Sequence, residues 1–103
     1  MSKNKYFSDT GTKEELTIKT LFQPVIRLQL LRLFFHEPEM EFDLSELALQ
    51  LNRLPRTLQR HLAFFLQHDI IHECYDRTTM LYCLNHRCLH VEAIRRVFEV
   101  WRY

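Results

Sequence analysis

Glycine is almost missing from this chain: Gly11 is the only one in 103 residues. Glycine takes left-handed backbone without steric cost, so turns here fall to Asn, Asp, Pro and Thr, and loops should be short. Cysteine is scarce and odd in number, with Cys74, Cys83 and Cys88. Without an export signal, that argues for reduced thiols and against a disulfide framework. No apolar run is long enough to cross a bilayer, and the N-terminus lacks the apolar core of a signal peptide. The reading is a cytoplasmic protein with no membrane association. Catalytic signatures are missing as well: there is no Gly-rich phosphate loop, nucleophile elbow, HExxH pair or carboxylate spacing suited to acid–base work. Neither enzyme activity nor a cofactor is expected.

What is present is an ordered composition, 47% hydrophobic and 26% charged, which excludes a disordered tail. One domain is expected, of a size at which a monomer buries only about two-thirds of its surface, so pairing would add stability. The net charge of +1 does not announce nucleic-acid binding, but charge is locally sorted. Glu37, Glu39, Glu41, Asp43 and Glu46 precede a segment, residues 53–62, that holds Arg53, Arg56, Arg60 and His61 and no acid.

Along the chain, residues 1–12 show no apolar period and read as a flexible tail. A first helix is expected from Lys13 to Phe22, capped by Thr12, with Leu16, Leu21 and Phe22 on its apolar side. Pro24 opens the next, Val25 to about His36, with Val25, Leu28, Leu31 and Phe35 in one stripe, Ile26, Leu30, Leu33 and Phe34 widening the apolar surface so that two sides are buried, and Arg27, Gln29 and Arg32 on the wetter side. Glu37-Pro38-Glu39 stops it. Met40 to Phe42 can form a very short strand, and Asp43 or Ser45 can cap a helix reaching Leu51. Asn52 suits a left-handed C-terminal position. Pro55 fits a first helical turn, and Leu58, Leu62, Phe65 and Leu66 give a helix over Pro55–Gln67 one apolar face, leaving Arg56, Thr57, Gln59 and Arg60 on the other.

Two strands, Ile70–Tyr75 and Met80–Leu84, flank a four-residue loop, Asp76–Thr79. Pairing Tyr75 with Met80 turns Ile71, Glu73, Tyr75, Met80, Tyr82 and Leu84 toward the core. It also sets Cys83 opposite His72, which argues against Cys74 and Cys83 as a redox pair. Leu89–Tyr103 reads as a last amphipathic helix. The fold class is mainly α with a small β-hairpin (α+β), about five helices and a wing sheet of two to three strands.

This order, with Arg27-Leu28-Gln29-Leu30-Leu31-Arg32-Leu33, Leu47-Ala48-x-x-Leu51, Thr57-Leu58-x-Arg60-His61-Leu62, Ile70-Ile71 and Leu81-Tyr82-x-Leu84, resembles the winged helix-turn-helix domains of ArsR-like transcriptional regulators from about Pro24 to Trp101. There are three departures from that pattern. Asn52-Arg53-Leu54 replaces Gly-Leu-Ser at the turn, which would bury Leu54 with a shifted register, and Asp69 replaces a Gly. Leu47-Ala48-Leu49-Gln50 lacks the Cys-x-Cys of some metal sensors, so the resemblance carries no metalloregulation here.

The resemblance and the helical spacing together imply a dimeric DNA-binding regulator, most simply a repressor, with double-stranded DNA as partner. Its effector is unknown. The DNA-contacting candidates are Arg53, Arg56, Thr57, Gln59 and Arg60, with Arg77, Thr78 and Thr79 at the wing. His61 is expected to be a half-buried, hydrogen-bonded histidine. The dimer-interface candidates are Leu16, Leu21, Phe22, Ile94, Val97, Phe98 and Trp101 on the terminal helices. Cys83, His86, Cys88 and His90 offer soft ligands, but their spacing matches no common zinc pattern, and no metal site is assigned. The alternatives are a winged-helix protein-interaction module without DNA binding, or a metal- or redox-sensing regulator.

Overall fold

In the computed structural model the described residues are 14–101, the side chain of Trp101 excepted. The expected N-terminal tail therefore lies outside them. Five helices and a hairpin follow in order: α1 Ile18–Phe22, α2 Val25–His36, α3 Leu44–Leu51, α4 Pro55–Gln67, strands β1 Ile71–Asp76 and β2 Thr79–Leu84, and α5 Leu89–Trp101. None of these helices is long and apolar enough to cross a membrane.

α1 starts later than its sequence suggests. Thr17 and Thr20 cap it reciprocally, the Thr20 amide donating to Thr17 Oγ1 at 3.0 Å and the Thr17 amide to Thr20 Oγ1 at 2.8 Å. That pair satisfies two N-terminal donors at once. Glu14, which a helix starting at Lys13 would hold in its first turn, instead reaches α2, where Arg27 Nη2 donates to its Oε1 at 2.6 Å.

α2 is the element the others pack around; it touches α1, α3, α4, α5 and β2. Its buried residues are Arg27, Leu30, Leu31 and Phe34; the last three belong to the expected apolar surface, whereas Val25 faces water and Arg27 does not. The core continues through Phe42, Leu47, Leu58, Leu62, Phe65, Ile70 and Ile71 to Val91 and Ile94 of α5. Fully burying a side chain of this size contributes roughly 1.5–3 kcal/mol.

At two helix ends the shortage of glycine is met as expected. Asn52 ends α3 with φ 54° and ψ 49°, its amide donating to Leu49 O and the Arg53 amide to Ala48 O, the paired bonds of a Schellman motif. Asp69 repeats the device after α4 with φ 61°. The Asp69 amide donates to Leu66 O and the Ile70 amide to Phe65 O, and the buried Ile70 and Phe65 supply the motif's apolar contact.

β1 and β2 pair antiparallel with Tyr75 opposite Met80, the expected register. The loop is shorter than expected, because Asp76 pairs with Thr79 and leaves only Arg77 and Thr78. Arg77 takes φ 62°, the position where such tight hairpins favour glycine. Ile71, Tyr82 and Leu84 face the core, but Glu73 and Tyr75, expected on the same face, are exposed. A single antiparallel bridge, Phe42 to Tyr82, adds the edge of a third strand.

Candidate functional site

α4 carries the candidate face. Its buried residues, Leu58, His61, Leu62, Phe64 and Phe65, fix the helix rotation and leave Arg56, Gln59 and Arg60 exposed, with Thr57 half-buried at the edge. No acid occurs between Glu46 and Asp69. The helix opens on Pro55, and its N-cap residue, Leu54, makes no side-chain cap. Leu54 is 72% exposed, so the turn does not bury it: the Schellman closure at Asn52 and Arg53 turns the chain so that Leu54 only precedes the helix. Arg53 is exposed, its Nη2 donating to Gln29 Oε1 at 3.2 Å. Arg77, Thr78 and Thr79 are all exposed at the hairpin tip.

Under this face lies a polar cluster that the sequence pattern misassigns. Arg27, expected on the wetter side of α2, is 6% exposed. Its Nη1 donates to Thr20 O at 2.6 Å, its Nη2 to Glu14 Oε1 at 2.6 Å and its Nε to His61 Nδ1 at 3.1 Å. The guanidinium also lies over the Phe64 ring, 3.8 Å from the centroid, a cation–π contact. Charge-assisted bonds from every arm of the fork make this burial tolerable.

Because Arg27 can only donate, His61 Nδ1 must accept, and the imidazole is neutral with its proton on Nε2. Burial, then the charges of Arg27 and Arg60, hold the His61 pKa below its ordinary 6.5, against a smaller opposing pull from Glu14. The unfolded chain therefore takes up this proton more readily than the folded one. The stability contributed by neutral His61 is present above pH 6.5 and is lost as pH falls through the lower folded-state value. His61→Gln, which keeps an acceptor for Arg27, should flatten the fall in unfolding free energy as pH drops below about 6.5. Denaturant melts of both proteins across that range check this, and parallel slopes would refute it.

The fold resembles solved structures. HlyU from Vibrio cholerae N16961 superposes with a TM-score of 0.62 at 21% identity, covering 79% of this chain and 83% of that one. Reduced HlyU from the same organism gives 0.64 at 21%, covering 82% and 83%. A transcriptional regulator HlyU from Vibrio vulnificus CMCP6 gives 0.62 at 21%, covering 80% of each. The chain is a winged helix. No protein-family model matches it, and no curated protein matches it in sequence.

Within the winged helix, the residues expected at a dimer interface divide. Leu21 and Ile94 are buried in the chain's own core, while Leu16, Phe22, Val97 and Phe98 are half-buried. Phe98 packs on Phe22 and Phe35. The side chain of Trp101 lies outside the described residues. α1 and α5 frame an apolar groove of about 340 Å³ lined by Leu16, Ile18, Phe22, Ala93 and Val97, and Ile18, Leu89 and Val100 remain exposed.

The possible ligands Cys83, His86, Cys88 and His90 are not gathered into one group. His86 Nε2 lies 3.0 Å from Pro38 O, and Cys88 sits against His68 O. Cys83 instead meets Cys74, with the two sulfurs 3.2 Å apart. The register is the expected one, with Cys83 opposite His72, but the residues diagonal to each other on one face come within contact. Sequence reasoning that considered only directly opposed residues missed this pair. Glu41 completes the group, its Oε2 3.6 Å from Cys74 Sγ.

Proposed function

We propose that this chain is a sequence-specific DNA-binding transcriptional regulator of the ArsR-like kind, acting as a homodimer that reads the major groove with α4. The observation that carries the reading is the acid-free exposed face of Arg56, Gln59 and Arg60 on a helix with an uncapped N-terminus. Arg is suited to guanine edges and Gln to adenine. Arg56 sits at the positive end of the helix dipole, where a cation is disfavoured, and a DNA phosphate placed there would complement both the dipole and the guanidinium. Arg53 stands beside that end, and Arg77, Thr78 and Thr79 at the wing tip are free to meet the backbone or the minor groove.

One structural neighbour, HlyU from Vibrio vulnificus CMCP6, is a transcriptional regulator, which supports the same reading. Dimerisation through the α1–α5 groove and the exposed Ile18, Leu89 and Val100 would set two α4 helices about one DNA turn, roughly 10 bp, apart. Repression by promoter occlusion is the simplest consequence, and the role is non-enzymatic.

The test is binding to duplex DNA from upstream of the chain's own gene, measured by fluorescence anisotropy over a series of salt concentrations. Affinity should fall steeply with salt, with two chains per site. Arg60→Ala should weaken the specific site by about 1–3 kcal/mol more than random DNA. A second reading, a protein-interaction module, is favoured by Leu49 and Leu54, which are 82% and 72% exposed beside the turn. No DNA binding even at low salt would select it.

A further inference from the structure

The sulfurs of Cys74 and Cys83, 3.2 Å apart, and the Glu41 carboxylate come from three different backbone segments of the wing. Extending the antiparallel Phe42–Tyr82 bridge by one residue sets Glu41 opposite Cys83, while Cys74 lies diagonal to Cys83 across the hairpin. Their donor atoms all lie within 4.8 Å of one another. Among the described residues no other group of three His, Cys, Asp or Glu side chains is gathered this closely.

We propose that Glu41 Oε2, Cys74 Sγ and Cys83 Sγ form a site for one thiophilic divalent cation, Zn²⁺ by preference, with water as the fourth ligand. The separations from Cys74 suit it. A tetrahedral ion with Zn–S of about 2.3 Å and Zn–O of about 2.1 Å separates sulfur from oxygen by about 3.6 Å and the two sulfurs by about 3.8 Å. The Cys74–Glu41 separation of 3.6 Å already meets the first value. The sulfurs need to part by only about 0.6 Å, within reach of small χ1 changes.

A disulfide would need the opposite movement, to about 2.05 Å, and would leave the carboxylate without a role. The donor set also selects among metals: calcium and magnesium require oxygen cages, and Cu(I) prefers sulfur alone. On binding, two metal–sulfur bonds and one metal–oxygen bond form. Both thiol protons pass to solvent, and no electron is transferred. The cation would pin the segment before Phe42 to both strands of the hairpin. The site stands independently of the nucleic-acid reading, since it uses none of the α4 face.

The experiment is titration of the reduced, metal-free full chain with Co²⁺, followed by displacement with Zn²⁺. One equivalent should give sulfur-to-cobalt charge-transfer absorption with the ligand-field bands of a tetrahedral site. Cys74→Ser and Cys83→Ser should each lower affinity about 100-fold or more, and Glu41→Gln about tenfold with the sulfur signature kept. Cys88→Ser should change nothing. Should a serine variant fail to fold by circular dichroism, alkylation of the wild-type chain decides: Zn²⁺ should shield Cys74 and Cys83 and leave Cys88 reactive. Absence of the charge-transfer band in the wild type, its persistence in folded Cys74→Ser, or Zn²⁺-independent alkylation would overturn the site. A chain that takes up no metal but loses two thiols to peroxide, with Cys74 and Cys83 cross-linked, would overturn it in favour of a disulfide.

Discussion

Replacing Arg27 by alanine is expected to lower the unfolding free energy by about 2–4 kcal/mol, making it the most damaging exchange of a charged residue among the described residues. The size follows from what the side chain leaves behind. Thr20 O and His61 Nδ1 lose their donors inside the fold, and each stranded acceptor costs about 1–3 kcal/mol. The Phe64 face loses its cation, worth about 0.5–2 kcal/mol. Two effects limit the total. Glu14 is half exposed and can turn to water, so its ion pair counts for little, and removing the guanidinium recovers the cost of having desolvated it. For a domain of this size the loss corresponds to a fall in melting temperature of roughly 10–30 °C. Glu14→Gln, touching only the exposed arm, should cost less than about 1 kcal/mol. Thermal and urea melts of the two variants check the ordering. A loss below about 0.5 kcal/mol for Arg27→Ala would mean that the fork is not bonded as described.

The same residue shows where the sequence stops being readable. Helices α2 to α5 follow from 3.6-residue periodicity cut by Pro24, Pro38 and Pro55, and the ends of α3 follow from local chemistry at Asp43 and Asn52. These signals work because each depends on residues a few positions apart. The exposure of Arg56, Gln59 and Arg60 is legible for the same reason, since Leu58, Leu62 and Phe65 fix the rotation of α4. Arg27 fails the rule because periodicity reads a guanidinium as wet, whereas its burial depends on acceptors at Glu14, Thr20 and His61, 13, 7 and 34 residues away. α1 is misplaced for a related reason, as Glu14 serves Arg27 and not a helix N-terminus. The Cys74–Cys83 contact escapes in another way. Alternation gives the register correctly, but a register names opposed partners and says nothing of the diagonal ones that sheet twist brings together.

The second large effect is expected at Phe42, where alanine should cost about 3–5 kcal/mol. The ring is 1% exposed and meets Phe34 of α2 edge-to-face, centroids 5.4 Å apart, so truncation opens a cavity between the central helix and the wing. The backbone alone cannot hold the segment. Its backbone pairing with β2 is one bridge, the Phe42 amide to Tyr82 O at 2.9 Å and the Tyr82 amide to Phe42 O at 2.7 Å, and so short a strand pair has no stability without an apolar face behind it. Amide exchange at Tyr82 in Phe42→Ala should therefore accelerate by more than the global loss of stability explains. Phe42→Leu, which refills most of the volume, should cost only about 1–2 kcal/mol and keep the amide protected. Equal exchange at Tyr82 in both variants would show that the bridge stands without the ring. Because this anchor also sets Glu41 opposite Cys83, Phe42→Ala should weaken cobalt binding although no ligand is changed. The wing's position and its proposed cation site would then depend on one aromatic contact with α2.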